Sequence, residues 1–431
     1  MTLPTVTAEN KKLRIAMVLR LFSRSGGLEL YALKLVEGLL EDGHSVCVIC
    51  ETNESGLEHP LLKVHSFKDK LSGAKSKSDK LHHYFRAASE AVAALGPFDI
   101  VHSQHFPVSP VDVVTFHNHT TRRLSQVGYG WEKLLNEVKL ALTDAYKTRE
   151  YYDGKLTREA KLRIFVGEVM RDDYYNTFNM PEEALYAIAH PGASLGEPPL
   201  AAQGRSNEAA KTDLKAAREQ ANDQANEQAN EQAEELAEEQ AKERPFTFLF
   251  VGKGFRKKGL DTLLKSCQIL KKRGHKFVLQ IAGIKERPVR KLELIAAGLT
   301  DCVHYLGFRQ DMEAVYAGAD ASILPSKIEP FGMAPIQGMQ YGLVPIVSSV
   351  CGVAEVLSDG ENALILRDHL DSGALADLMQ LLLLDRELYK RLQEQARPTA
   401  NRLNWRKTID ATEQAYEKIR PHVNNKEVIS D

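Results

Sequence analysis

The sequence predicts an α/β chain of two doubly wound units, each a parallel sheet flanked by helices. Three observations lead there. Short apolar, partly β-branched runs alternate with helix-period segments in both halves of the chain. A polar, repetitive stretch from Ala201 to Glu243 interrupts that alternation once. A glycine-bearing turn follows the first strand-like run of each half and opens a helix. Two such units suggest a cleft between facing domains, with ligands at the carboxyl ends of the strands.

In the N-terminal half, LRIAMVL (13–19) reads as a strand and Ser25-Gly26-Gly27 as a turn. LELYALKLVEGLLEDG then carries apolar residues at helical spacing and stops at Gly43. HSVCVIC, FDIVHSQ, VDVVTFHN, LRIFVG and LYAIAHPG supply further strands. Cys47 and Cys50 form a C-x-x-C, but inside an apolar strand they behave as small core residues. No second Cys/His pair accompanies them at metal spacing.

The expected organisation is a first domain over 1–197, an insert over 198–244, a second domain over 245–402, and a C-terminal helix and tail over 403–431, the helix crossing back to the first domain. In the insert, alanine recurs every four residues from Ala221 to Ala241. A four-residue period overshoots the helical 3.6, so the stripe drifts by about 40° per repeat and keeps no face on a core. The segment reads as a solvated helix or a disordered insert. After Pro245, the strands FTFLFVG, KFVLQIAG, CVHYLG, DASILP and VPIVSS alternate with the helices GLDTLLKSCQILKKRG, DMEAVYAGA and APIQGMQYG.

Composition narrows the function. The 431 residues carry 56 Lys and Arg against 58 Asp and Glu, a net charge of −2. That balance argues against nucleic acid as a partner, while leaving room for local basic patches. No run of 18 apolar residues and no leader pattern occur, so a cytoplasmic protein is expected. Five cysteines, an odd number, suit reduced thiols.

Four constellations carry chemistry. Gly26 and Gly27 let backbone approach a ligand at a helix start, or merely make a turn. Gly252, Lys253, Gly254, Phe255, Arg256, Lys257, Lys258 and Gly259 put four cations within six positions before a helix. That suits a pyrophosphate, and the spacing is not that of a Walker A loop. Glu329, Phe331, Gly332, Met333 and Gln337 surround a further helix start, whose amides can hold an anion or a sugar hydroxyl. His117, Asn118, His119, Thr120, Thr121, Arg122 and Arg123 crowd polar groups at a strand end. No D-x-D occurs, so no metal is required for a diphosphate.

Taken in order, Gly26-Gly27 with Glu29, TFHNHTT, VGKGFRKKG and PSKIEPFGMAPIQ resemble the retaining, metal-independent glycosyltransferases of family 4, and among them the bacterial lipopolysaccharide-core transferases. The resemblance implies the GT-B fold of two Rossmann-like domains facing across a cleft. It implies a nucleotide-sugar donor, UDP-hexose by family weight, a glycolipid or oligosaccharide acceptor, and no cofactor. Gly26 and Gly27 would face the donor diphosphate from the first domain, and His117 the transferred sugar. Lys253 and Lys258 would neutralise the leaving group beside Gly252. Glu329 would bond sugar hydroxyls, and backbone at Phe331, Gly332 and Met333 would touch sugar and phosphate. Lys253 stands where the family usually has Arg, and Gln337 where it has the Glu that grips the ribose.

The acceptor side has its own signal. Residues 63–86 hold seven basic residues, among them Lys75, Lys77 and Lys80, against two acids. With Arg122 and Arg123 they read either as a solvated loop or as a face for anionic lipid headgroups. Two other functions stay open: a nucleotide-sugar 2-epimerase, or a non-catalytic nucleotide-sugar binder.

Overall fold

The computed structural model describes residues 12–71, 73–127, 131–193 and 244–423. Apart from its last residue, the insert expected at 198–244 lies outside them. The chain forms two compact units, Met1–Gly192 with Trp405–Asp431, and Ala193–Asn404.

The first unit is built on seven parallel strands: β1 (Arg14–Ser23), β2 (Ser45–Glu54), β3 (Leu62–Ser66), β4 (Ile100–Ser103), β5 (Val113–Phe116), β6 (Leu162–Phe165) and β7 (Tyr186–Ile188). Their order is β3-β2-β1-β4-β5-β6-β7. β1 and β2 bury consecutive residues, Ile15 to Leu19 and Val46 to Cys50, rather than alternate ones. That is the mark of parallel strands covered on both faces. Cys47 and Cys50 lie in this core as free thiols, and burial pushes Cys50 up to about 12.

The helices of this unit are α1 (Gly27–Glu41), α2 (Lys77–Leu95), α3 (Thr121–Ser125), α4 (Trp131–Leu142), α5 (Asp144–Glu159) and α6 (Glu168–Phe178). The basic segment 63–86 folds into edge strand β3, a 3-10 turn at Lys68–Leu71 and the first half of α2. Lys63, Lys75, Lys77 and Lys80 stay exposed along this segment. Ser76 starts α2 by accepting the Asp79 amide at 3.0 Å, and exposed Lys63 blunts the sheet edge.

The C-terminal helix (Trp405–Val423) belongs to this unit. Trp405 meets Tyr31 edge-on at 5.8 Å, Thr408 Oγ1 donates to the His190 carbonyl at 2.6 Å, and Tyr416 Oη lies 2.7 Å from His102 Nδ1. The helix start touches Gly192 so closely that a Cβ there would stand 2.5 Å from the Trp405 amide nitrogen.

The second unit has six parallel strands: β8 (Thr247–Val251), β9 (Val278–Ala282), β10 (Val303–Gly307), β11 (Ala321–Leu324), β12 (Val344–Ser348) and β13 (Leu364–Leu366), in the order β10-β9-β8-β11-β12-β13. Its helices are α7 (Leu260–Lys272), α8 (Pro288–Ala297), α9 (Met312–Ala317), α10 (Met333–Gln340), α11 (Ser372–Leu384) and α12 (Arg386–Arg402). Phe248, Phe250, Leu263, Ile281, Ile323 and Ile346 share its core. Asp320 joins β8 to β11 by accepting from the Thr247 amide at 2.8 Å and from Arg244 at 3.0 Å. Because β8 and β11 are neighbours and parallel, the turns at their carboxyl ends are neighbours too.

Gly192→Ala should destabilise the first unit by about 1–3 kcal/mol through overpacking against Trp405. Denaturant unfolding followed by tryptophan emission reads this, and an unchanged midpoint would contradict the packing.

Candidate active site

In the second unit the site is organised by the β8–β11 pairing. The turn after β8 carries Gly252 to Gly259, and the loop after β11 carries Pro325 to Gly332. Gly259 adopts φ +70, and a Cβ there would meet the Pro325 carbonyl oxygen at 1.8 Å. Only glycine allows that approach. Lys327 fastens the loop by donating its backbone amide to Lys257 O at 2.8 Å and its ammonium to Asp261 at 2.7 Å.

Within this frame Lys258 Nζ donates to Glu329 Oε2 at 2.6 Å. Both side chains keep partial solvent access, 24% and 15%. Ser326 Oγ is 3.5 Å from the same carboxylate oxygen. Glu329 is held by backbone as well, since its carbonyl accepts from Gly352 N at 3.2 Å, and Phe331 O accepts from Val353 N at 2.7 Å. Gly352 permits this contact, because a Cβ would lie 2.1 Å from Pro330 O. Cys351 lies fully buried beside the pair, its thiol pushed up to about 12 by burial and then by the Glu329 charge.

Gly332, at φ +96, caps the start of α10, whose first residue is Met333. Phe331 is buried beside it. Gln337, one turn on and half-buried, receives the Tyr316 hydroxyl on Oε1 at 3.2 Å. Lys253 does not join Lys258 and Glu329. It is exposed, with its ammonium 5.9 Å from the Phe308 ring centre.

In the first unit, Gly26 caps α1 at φ +119 and Gly27 is its first residue. A Cβ on Gly26 would lie 2.1 Å from Glu29 Oε2, so the Glu29 carboxylate folds across the helix start. His117, at the end of β5, meets Tyr31 of α1 edge-on at 4.8 Å. Its Nε2 lies 2.8 Å from Gln104 Oε1. Gln104 Nε2 faces Met17 Sδ and His102 Nε2, each at 3.2 Å. A thioether cannot donate, so the amide nitrogen belongs on that side. His117 donates from Nε2 to Gln104 Oε1, while His102 Nε2 also lies 2.7 Å from the Thr115 hydroxyl and its Nδ1 lies 2.7 Å from Tyr416 Oη.

Burial pushes His102 down to about 3. Burial also takes His117 well below its ordinary 6.5, with His105 and His102 adding to the effect. His117 is thus a neutral imidazole whose Nδ1 carries the lone pair. Gln104, His102 and Tyr416 were missed from the sequence, because nothing in spacing brings residue 416 to residue 102. The SQH triplet after β4 was the available signal.

The remaining motif residues separate by role. His119 is fully buried against Asp173 at 2.9 Å, and the same carboxylate receives the Thr120 amide and hydroxyl. Arg122 and Arg123 line a cavity of about 410 Å³ with Gln126, Asp172, Asp173 and Asn176. Lys75 and Lys77 are exposed, and Lys80 lies 3.2 Å from Glu51. Among the described residues, no group of three or more His, Cys, Asp or Glu could hold a metal ion.

Two parallel doubly wound units, one with a Lys–Glu pair at a helix start and the other with a neutral histidine at a strand end, define the GT-B class. The family model "Glycosyltransferase Family 4" matches residues 25–191, and "Glycosyl transferases group 1" matches residues 231–399. One model on each unit supports a GT-B glycosyltransferase, and family 4 fits. It is 34% identical over 182 residues to an uncharacterised glycosyltransferase, YqgM, of Bacillus subtilis, covering 41% of this chain and 50% of the relative. It is 23% identical to a D-inositol 3-phosphate glycosyltransferase of Paenarthrobacter aurescens, over 91% of this chain and 93% of that one. The chain spans about half or less of the length of the first curated relatives it matches.

Among solved structures, WaaG, a glycosyltransferase involved in lipopolysaccharide biosynthesis, superposes with a TM-score of 0.68 at 18% identity, over 94% of this chain and 99% of that one. Anabaena HepE in complex with UDP-glucose superposes at 0.60 and 14%, over 95% and 100%. At these identities the likeness is one of fold.

The histidine chain has a pH signature. His102 and His117 stay neutral when folded and protonate near 6.5 when unfolded. Their contribution is complete above pH 6.5 and is lost as pH falls towards 3. Unfolding midpoints measured from pH 7 to 4 should drop, and His102→Gln should flatten the slope by up to about 1.4 kcal/mol per pH unit. A slope identical in the variant would contradict a neutral His102.

Proposed function

We propose that the chain transfers a hexose from a nucleotide sugar, by preference UDP-hexose, to a hydroxyl of a lipid-linked glycan such as a lipopolysaccharide core. The transfer retains anomeric configuration and takes place on the cytoplasmic side of the membrane without a metal. The observation that carries this reading is the 2.6 Å Lys258–Glu329 pair beside the glycine start of α10.

In this reading the ammonium of Lys258 and the helix-start amides at Gly332 and Met333 meet the charge that grows on the departing diphosphate. Gly26 and Gly27 contribute amides from the other unit. Glu329 bonds sugar hydroxyls, and His117 accepts one on Nδ1. The acceptor oxygen bonds to the anomeric carbon on the face that the diphosphate leaves, the C–O bond to phosphate breaks, and the acceptor proton passes to the leaving phosphate oxygen. Lys253 and Gly252 flank the diphosphate, and Gln337 bonds the ribose. The assignment of UDP draws support from the UDP-glucose complex of HepE, and that of the acceptor from WaaG. Lys75, Lys77, Lys80, Arg122 and Arg123 face the anionic acceptor or its membrane.

A second reading, a nucleotide-sugar binder without turnover, is favoured by the exposure of Lys253 and by the Tyr316 bond to Gln337. Donor hydrolysis and transfer assays separate the two, and incubation without acceptor exposes a 2-epimerase. Lys258→Met should lower kcat by about 10²–10³. Gln337→Ala should weaken donor binding by about 1 kcal/mol with kcat nearly unchanged. A product of inverted anomeric configuration, read by proton NMR, would overturn the mechanism.

A further inference from the structure

Helix α4 (Trp131–Leu142) has an unusual surface. Trp131 is 77% exposed, Leu142 75%, Leu135 53%, Leu134 49% and Val138 44%. At about 100° per residue these five positions fall within an arc of about 100°, a single stripe along one side of the helix. Lys133, Asn136 and Glu137 lie on other sides, and Asn136 Nδ2 ties the helix to Val127 O at 3.1 Å. The helix packs on α3 and α5, and the stripe faces solvent. A monomeric protein seldom leaves so continuous an apolar surface without a use for it.

Its surroundings identify the occupant. α3, packed against α4, carries Arg122, 58% exposed, and Arg123. α5 begins two residues after Leu142 and packs on α2. Ser78 Oγ of α2 lies 2.5 Å from Thr148 Oγ1, about 6 Å along α5 from its start. Exposed Lys75 and Lys77 therefore adjoin the end of the stripe. An apolar stripe carrying a tryptophan, with exposed arginines on α3 and exposed lysines at the start of α2 in its neighbourhood, complements a layer of anionic headgroups over acyl chains.

We propose that α4 is an interfacial helix that seats the first unit on an anionic lipid bilayer, Trp131, Leu134, Leu135, Val138 and Leu142 entering the headgroup region and the neighbouring basic residues pairing with lipid phosphates. The inference deepens the proposed transfer to a lipid-linked acceptor, and rests on that reading for its purpose. Its test uses neither donor nor acceptor, so failure here leaves transfer intact, and failed transfer leaves binding intact.

The chain has two tryptophans, and Trp405 is buried at 7% exposure. Emission from Trp131 therefore reports on the helix. Full-length protein is mixed with phosphatidylcholine vesicles with and without phosphatidylglycerol. With phosphatidylglycerol, emission should shift to the blue and the protein should sediment with the vesicles. Trp131→Phe should abolish the shift while sedimentation persists. Leu135→Asp combined with Val138→Asp should reduce vesicle binding by ~10-fold or more, with the unfolding midpoint unchanged because both side chains are exposed. Sedimentation with phosphatidylglycerol but no emission shift would overturn the proposal, leaving charge attraction alone. So would indifference to vesicles together with a dimer in sedimentation velocity that the double variant dissolves.

Discussion

The proposed site in the second unit depends on one ion pair. Lys258 and Glu329 come from turns 71 residues apart, and they meet because β8 and β11 are adjacent and parallel. Two partly buried charges at 2.6 Å satisfy each other, and removing either would leave its partner uncompensated. Glycine makes the approach possible twice, at Gly259 against Pro325 and at Gly352 against Pro330. In the proposed reaction the pair links two tasks. A diphosphate drawing on the ammonium loosens the hold on the carboxylate, which then turns to the sugar hydroxyls. Donor charge and donor sugar are read by one coupled unit rather than by two independent contacts.

The first unit works by the opposite logic. Its site histidine carries no charge, and the reason is structural. His117, Gln104, His102 and Tyr416 are linked by hydrogen-bond contacts that end on the C-terminal helix. Burial keeps the imidazole uncharged and the Gln104 carbonyl accepts its Nε2 proton, so His117 offers a lone pair at Nδ1 rather than a proton. In the proposed reaction a neutral imidazole suits a group that orients a hydroxyl beside a bond acquiring positive character at carbon, where an imidazolium would repel. The last helix thereby matters to a residue nearly three hundred positions away.

How much was legible in the sequence follows from the range of each interaction. Strands such as FTFLFVG and helices such as LDTLLKSCQILKK show in local periodicity, because burial on both faces or on one stripe leaves its mark in adjacent residues. The turn at Gly252–Gly259 is legible because glycines and cations cluster at a strand end, and Glu329–Gln337 because Gly332 and Pro335 mark a helix start. β3, β13 and α2 were not recognised, since edge strands are short and half polar, and α2 begins in a lysine-rich stretch that reads as loop. The Gln104 chain was invisible because it is assembled by tertiary contact. Lys253 was expected beside Lys258, but only Lys258 points back over Gly252, where a Cβ would strike its aliphatic stem at 2.3 Å. The outward stripe of α4 is not legible in sequence, because its apolar residues have the spacing of any core-facing stripe.

In the proposed reaction Gln337 takes the ribose contact with a neutral amide in place of a carboxylate. Its Oε1 receives the hydroxyl of Tyr316, a buried ring stacked on Tyr341 at 5.7 Å. A carboxylate there would offer further acceptor sites to a ligand. The amide oxygen accepts from Tyr316 on one of its two lone pairs and can accept a second donor, and the NH₂ group has two donor hydrogens. A ribose hydroxyl both donates and accepts, so under the proposed role it can still pair with residue 337. The bond loses the strength of charge assistance, which shifts the burden of donor binding towards the diphosphate and therefore towards Lys258.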